Sequence, residues 1–110
     1  MTLERHAEYK FRVGVAVPLN APNDEGLPVN DEMEQLNALE DRLSAALEHQ
    51  QESLQVLSIT TQGMREFVFY TRSPELAQKA IEDLRAETKT HDVQGYVVED
   101  RRWSVYAAFA

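Results

Sequence analysis

The chain has 110 residues, of which 43% are hydrophobic, and its 19 acidic and 11 basic residues give a formal net charge of −8. This length supports one small globular core, so we predict a single domain over residues 1–110. The chain has no cysteine, which excludes disulfides, thiol catalysis and thiolate metal sites. The negative charge disfavours nucleic acid and anionic membranes, and it suits either simple solubility or a basic protein partner.

No apolar run approaches the length of a membrane span, and the N-terminal stretch MTLERHAEYK is too charged for a signal peptide. We therefore expect a cytoplasmic protein. Isolated glycines form no phosphate-binding loop, and the histidines lack the spacing of a metal site, so no cofactor or metal is predicted.

The first predicted element is a strand over Tyr9–Val17. Large side chains alternate along it, which is typical of a half-buried strand. One face carries Tyr9, Phe11, Val13, Val15 and Val17, and the other carries Lys10, Arg12, Gly14 and Ala16. Pro18 lacks the N–H that a ladder needs, so the strand should end there. The segment Pro18–Asn30 follows as an unusually long loop.

A helix is predicted from Asp31, with Asn30 or Asp31 as its cap and a capping box of Asp31 and Glu34. Its apolar stripe consists of Met33, Leu36, Leu39, Leu43, Ala46 and Leu47. The other positions of the helix are rich in acids, including Glu32, and Glu52 adds another acid just beyond the end of the helix. They form either a solvated face or a second surface for a basic partner.

Two further strands, Leu54–Thr61 and Met64–Thr71, flank Gln62-Gly63 and predict a hairpin. Ser73-Pro74 then begins a second helix, with Ser73 as its cap. The buried stripe of this helix is predicted to be Leu76, Ala77, Ala80, Ile81 and Leu84.

A last strand is predicted over Val93–Glu99, followed by a short helix capped by Asp100. In that helix Trp103, Tyr106 and Phe109 recur every three residues. The order β-α-β-β-α-β predicts an α+β, ferredoxin-like fold, a four-stranded antiparallel sheet with two helices on one face. The first and third strands should be central and the fourth an edge.

RNA binding is an alternative hypothesis, because Arg65, Phe67 and Phe69 match part of the third-strand signature of RNA-recognition motifs. Those motifs stack bases on outward aromatic rings. Outward phenylalanines would turn Glu66 towards the helices and bury an unpaired carboxylate. We therefore predict that Phe67 and Phe69 face the core, and single-stranded RNA binding through the sheet is disfavoured.

A small enzyme is the other alternative, with a site near His91, Asp92 and the Asn20–Glu25 loop. His91 and Asp92 could form an oriented base, although such pairs are also common in turns without function. No nucleophile elbow or calcium-loop spacing is present, so no catalytic residue is predicted.

The leading hypothesis is a non-enzymatic protein-binding or regulatory module. The sheet face away from the helices should mix charged and apolar side chains, as contact surfaces for a protein partner do. We also expect self-association into a homodimer through the sheet or an edge strand. The candidate interaction residues are Arg12, Arg65, Glu66, Val68, Tyr70, Trp103 and Tyr106.

Three stretches carry a family resemblance: DEGLPVNDEMEQLNALEDRL, ITTQGMREFVFYT and the closing Asp100-x-x-Trp103-x-x-Tyr106. Together they resemble the bacterial domain of unknown function 695 and the related RraB-like domains (regulator of ribonuclease E activity B). The resemblance implies a ferredoxin-like fold. Its RraB branch also implies an acidic protein that inhibits a ribonuclease by binding it, without catalysis of its own.

Overall fold

The computed structural model describes residues 8–20, 22–49 and 52–109. Within these residues the elements are, in chain order, β1 (Phe11–Pro18), α1 (Asn30–Leu47), β2 (Ser53–Thr61), β3 (Met64–Thr71), α2 (Pro74–Glu87), β4 (Gln94–Glu99) and α3 (Ser104–Phe109). All strand pairs are antiparallel, and the sheet order is β2-β3-β1-β4. The predicted ferredoxin-like order is confirmed, with β1 and β3 central and β4 at an edge.

The main core lies between the sheet and helices α1 and α2. It contains Val13, Val15 and Val17 of β1. Phe67 and Phe69 of β3 lie in the same cluster, and Phe69 is 0% exposed. The predicted inward orientation of both phenylalanines is therefore confirmed. They offer no surface on which RNA bases could stack.

A second buried cluster lies on the far face of the sheet, the face opposite α1 and α2. Val68 and Tyr70 point there, as predicted, but the expectation that they are exposed is wrong, since Tyr70 is 0% exposed. Trp103 covers them, and its ring stacks on Tyr70 at a centroid distance of 4.2 Å. Tyr9 also belongs to this cluster and not to the main core, because it precedes the strand and its alternation.

The helix starts differ from the predicted caps. The cap position of α1 is Val29, which makes no side-chain hydrogen bond, so the predicted capping box of Asp31 and Glu34 is wrong. Since α1 begins at Asn30, Asp31 already lies within the first turn. Ser73 does occupy the cap position of α2, but its hydroxyl donates to the Glu52 carboxylate and accepts no N–H from the helix.

Both predicted apolar stripes need correction. Ala46 of α1 and Leu76 of α2 are exposed, whereas Glu32 is buried together with the leucines of α1. The other predicted positions of the α1 stripe hold, although Met33 is only partly buried. Glu32 therefore does not belong to the acidic surface that the sequence predicted, and the reason lies in its contact with His91, described below.

The predicted hairpin turn between β2 and β3 is confirmed. Gln62 and Gly63 have φ angles of 50° and 78°, the pair of positive values that a type I′ turn requires. The Gly63 N–H donates to the Gly26 carbonyl at 3.1 Å, and its carbonyl accepts from the Leu19 N–H at 2.8 Å. The long loop after β1 is thus fastened to the hairpin.

The C-terminal segment, residues 100–109, folds back over the far face and ends in α3. This helix begins later than predicted, at Ser104, so Asp100 does not occupy its cap position and Trp103 lies before the helix with a positive φ. The Asp100 carboxylate still accepts the Ser104 N–H, the first of the helix. The predicted role of the Phe109 side chain lies outside the described residues. Among the helices described, none is long and apolar enough to cross a membrane.

Truncation of the main core should be far more costly than truncation of an exposed apolar residue. Phe69→Ala should lower the free energy of unfolding by about 3–5 kcal/mol, since it leaves a cavity under the helices. Leu76→Ala, at an exposed position of α2, should cost less than about 0.5 kcal/mol. Urea denaturation of both variants measures the difference, and equal costs would contradict the assigned faces.

Candidate protein-interaction surface

The exposed part of the far face centres on β4. Tyr96 and Val98 are 40% and 39% exposed, and they lie opposite Gly14 and Arg12 of β1. The candidate residues chosen from the sequence omit both. The signal that could have found them is the alternation of Gln94, Tyr96 and Val98, which places all three on the same face as Arg12.

Tyr96 is exposed but held in place. Its ring lies across Gly14, where an added Cβ would come within 2.3 Å of ring carbons. The guanidinium carbon of Arg12 lies 5.7 Å from the centre of the ring, within the range of a cation–π contact. An aromatic ring fixed in this way loses little conformational entropy when a partner binds, which favours binding.

The Asp100 carboxylate connects the C-terminal segment to the sheet. Its Oδ2 accepts the Tyr70 hydroxyl at 2.8 Å and an Arg12 N–H at 3.0 Å. Both carboxylate oxygens accept the Ser104 N–H, and Oδ2 also accepts the Ser104 hydroxyl at 2.9 Å. One carboxylate thus joins β1, β3 and the start of α3.

These contacts shift the pKa values of the Asp100 carboxyl and the Tyr70 hydroxyl in opposite directions. Burial alone would raise the pKa of the Asp100 carboxyl, but the donors from Ser104 and Tyr70, with the charge of Arg12, hold it below its usual value. Burial and the hydrogen bond to the Asp100 carboxylate raise the pKa of Tyr70 to about 12. At neutral pH the pair is therefore a charged acceptor and a neutral donor.

Trp103 completes this cover of the sheet. It has a positive φ of 53°, and its indole N–H donates to the Tyr9 carbonyl at 2.8 Å. Tyr106 meets the Trp103 ring edge-on, with 5.6 Å between the ring centres, and is 40% exposed. Tyr106 therefore adds a third exposed hydrophobic side chain to the same side of the sheet as Tyr96 and Val98.

The structure brings together some of the candidate interaction residues and separates others. Arg12, Tyr70, Trp103 and Tyr106 meet around Asp100, and Val68 lies beneath them. Because Val68, Tyr70 and Trp103 are buried, they support the surface and do not form it.

Arg65 and Glu66 lie at the other end of β3. Arg65 points to the helix side, where it reaches Thr60 at 2.5 Å and the Met33 sulfur at 3.6 Å. Glu66 is half-buried opposite Ala16, on the far face. The structure therefore places Arg65 away from the surface formed by Tyr96, Val98 and Tyr106.

His91 makes structural contacts at the other end of the domain. Its Nε2 lies 2.6 Å from the Glu32 carboxylate, and its Nδ1 lies 3.1 Å from the Thr90 hydroxyl. Glu32 also accepts the Asn20 N–H at 2.6 Å. The pair thus ties the loop after β1 to the segment before β4. Both ring nitrogens have partners other than Asp92.

Two grooves lie between α1 and α2, separated by the ion pair of Arg42 and Glu87. The larger has a volume of about 340 Å³ and reaches Thr88–Thr90, but neither His91 nor Asp92 lines it. No group of three or more potential metal ligands occurs in residues 8–20, 22–49 and 52–109.

The element order, sheet topology and helix placement define a ferredoxin-like α+β domain. The chain belongs to a family of unknown function, DUF695, whose model matches residues 2–110. No curated protein and no solved structure matches the chain significantly. The family predicted from the sequence is confirmed, and the link to RraB-like ribonuclease regulation stays a prediction.

The contact between Gly14 and Tyr96 predicts a non-additive pair of substitutions. Gly14→Ala should cost about 1–3 kcal/mol of stability, because the new methyl group collides with the ring. In a Tyr96→Ala background the same change should be neutral or stabilising by up to about 1 kcal/mol, since alanine is the better strand residue. A double-mutant cycle by urea denaturation tests this, and additive costs would contradict it.

Asp100 should make stability depend on pH on the acid side. Because its folded pKa is lowered, its contribution is present above the unfolded pKa of about 3.9 and is lost as the pH falls through the folded value. Asp100→Asn should therefore cost about 1–3 kcal/mol at pH 7 and less in acid.

A matched control is Asp83→Asn, which removes an exposed ion pair with Lys79 on α2. It should cost less than about 0.5 kcal/mol at neutral pH. Denaturation of both variants at neutral and acid pH makes the comparison. A cost of Asp100→Asn that is independent of pH would show that its charge contributes nothing.

Proposed function

We propose that this chain is a non-enzymatic protein-binding module that uses the exposed part of the far face. The observation that carries the proposal is the grouping of Tyr96, Val98 and Tyr106 on one side of the sheet, each about two-fifths exposed. Aromatic side chains supply much of the binding energy of protein interfaces when they are well packed at their base. Tyr96 and Tyr106 both meet that condition, on Gly14 and Trp103.

The partner is a protein surface with an apolar centre and a basic border. Arg12, whose guanidinium lies over the Tyr96 ring, is already paired with Asp100, so its charge is not free to meet a partner. The whole chain carries a net charge of −8, so its field attracts a basic partner. The exposed acids of α1, such as Glu34 and Asp41, contribute to that field.

This arrangement supports binding more than catalysis, because the polar groups near the surface are used to hold it together. The Asp100 carboxylate accepts hydrogen bonds from Arg12, Tyr70 and Ser104. At the opposite end, His91 is buried against Glu32. Their contacts give both groups a role in positioning the backbone.

The experiment compares two substitutions at equally exposed hydrophobic residues. Tyr106→Lys adds a charge on the proposed surface, and Leu76→Lys adds the same charge on α2, where the side chain is likewise 40% exposed. Proteins captured from a cell extract by the unmodified chain are identified, purified and titrated against both variants by calorimetry. Tyr106→Lys should weaken binding at least about tenfold, and Leu76→Lys should leave it unchanged.

Three results would overturn the proposal. Equal loss in both variants would indicate a general effect of the added charge. Binding that Tyr106→Lys leaves intact would place the contact elsewhere. In a parallel titration with mixed single-stranded RNA at low salt, binding lost with Tyr106→Lys would assign the surface to nucleic acid instead of protein.

A further inference from the structure

We infer that two copies of this chain pair through the free edge of β4, antiparallel and in a register centred on Val97. The inference goes beyond the proposed function, because it concerns the backbone edge of the sheet and not its exposed face. It names the second copy as the occupant of that edge.

The free backbone groups of β4 can be identified from the hydrogen bonds of its neighbour. The Asp100 N–H donates to the Lys10 carbonyl at 2.7 Å, which extends the ladder between β1 and β4 by one pair. In an antiparallel ladder, residues alternate between facing the partner strand and facing away. Gly95, Val97 and Glu99 therefore direct their N–H and carbonyl groups outwards.

The opposite side of β1 gives the same alternation independently. Leu19 donates to the Gly63 carbonyl, so the odd-numbered residues of β1 face β3 and the even-numbered ones face β4. Within the described part of the chain, the outward backbone groups of Gly95, Val97 and Glu99 make no hydrogen bond to another element. The outward N–H and carbonyl groups of these three alternate residues are thus available to a partner strand.

Pairing two copies about Val97 uses all three positions. Val97 faces Val97 of the second copy. Gly95 of each copy faces Glu99 of the other, so this pair occurs twice. The same register brings Tyr96 opposite Val98 of the second copy in a pair without hydrogen bonds, where side chains approach most closely. Aromatic and β-branched residues form favourable cross-strand pairs. In this register Tyr96 and Val98, both exposed in the single chain, contact each other across the two copies.

The neighbouring register, centred on Tyr96, is less favourable for two reasons. It requires the backbone of Val93, whose carbonyl already accepts an N–H from Arg85 at 2.9 Å. It also places Asp92 opposite Asp100 of the second copy, and like charges directly opposite are destabilising. Arg85 therefore marks the point beyond Gly95 where the free edge ends.

A second copy suits this edge better than an unrelated strand. Residues 94–98 carry no charged side chain, so the paired strands place no like charges directly opposite each other. A two-fold arrangement needs only the one sequence to fill both halves of the contact. The other sheet edge, β2, is interrupted by a bulge between Gln55 and Leu57, a feature that protects edges from pairing.

Proline substitution tests the edge without breaking the internal ladder. Glu99→Pro removes an outward N–H from β4, and Ser58→Pro removes an outward N–H from β2 as the matched control. Sedimentation equilibrium from micromolar to millimolar concentration should show a dimer for the unmodified chain and for Ser58→Pro. Glu99→Pro should shift the dimer to monomer at matched concentration, with circular dichroism showing that both variants fold.

The register is tested by cross-linking, for which a chain without cysteine is well suited. In a mixture of Tyr96→Cys and Val98→Cys chains, the two cysteines lie directly opposite each other with about 4.5 Å between their Cα atoms. They should therefore form a disulfide. Tyr96→Cys alone should not cross-link, because its two copies lie about 8 Å apart on the diagonal.

Several outcomes would overturn the inference. A monomer at millimolar concentration would remove the dimer, and a dimer that survives Glu99→Pro would place the interface elsewhere. Cross-linking of Tyr96→Cys with itself would contradict the register. A chain that stays monomeric yet binds a partner through Tyr106 leaves the proposed function standing, so the two proposals fail separately.

Discussion

The far side of this domain depends on the hydrogen bonds that converge on the Asp100 carboxylate. A ferredoxin-like sheet with two helices leaves one face to solvent. Here that face carries aromatic and branched side chains that must be covered from water. Asp100 joins Arg12, Tyr70 and Ser104, and so brings the chain back across the sheet. Trp103 can then stack on Tyr70, and what stays exposed is the neighbouring area around Tyr96.

The opposite end of the domain is held by a second carboxylate. Glu32 is buried with His91 and accepts the Asn20 N–H, so it joins the entry to α1 with the entry to β4. A buried carboxylate is costly unless it is paired and hydrogen-bonded, which is the case here. The two carboxylates together fix both ends of β4, one through His91 and the other at Asp100.

Periodicity in the sequence predicted the element order, the hairpin turn, the sheet order and the inward direction of Phe67 and Phe69. These features depend on local patterns of side chains, which alternation and helical spacing report directly. The same alternation placed Val68 and Tyr70 on the correct face. It failed on their exposure, because the Trp103 cover joins residues more than thirty positions apart in the sequence.

The candidate surface was harder to predict than the fold. Trp103 and Tyr106 were selected, but Tyr96 and Val98 were not. Alternation places these two on the far face, but it does not report which positions of that face stay uncovered. The prediction for Glu32 was wrong in the opposite direction, because it expected an exposed side chain that is in fact buried. On a helix rich in acids it fits a solvated face, and its buried partner His91 lies fifty-nine residues away. Such pairings arise from tertiary packing, which local patterns do not report.

The position of Trp103 has a practical consequence. It is the single tryptophan of the chain, and it lies between buried Tyr70 and exposed Tyr106. Its emission spectrum therefore reports the environment of one place in the fold, the contact between the C-terminal segment and the sheet. The protein carries its own fluorescent reporter of whether that segment is seated, and it can be followed without any label.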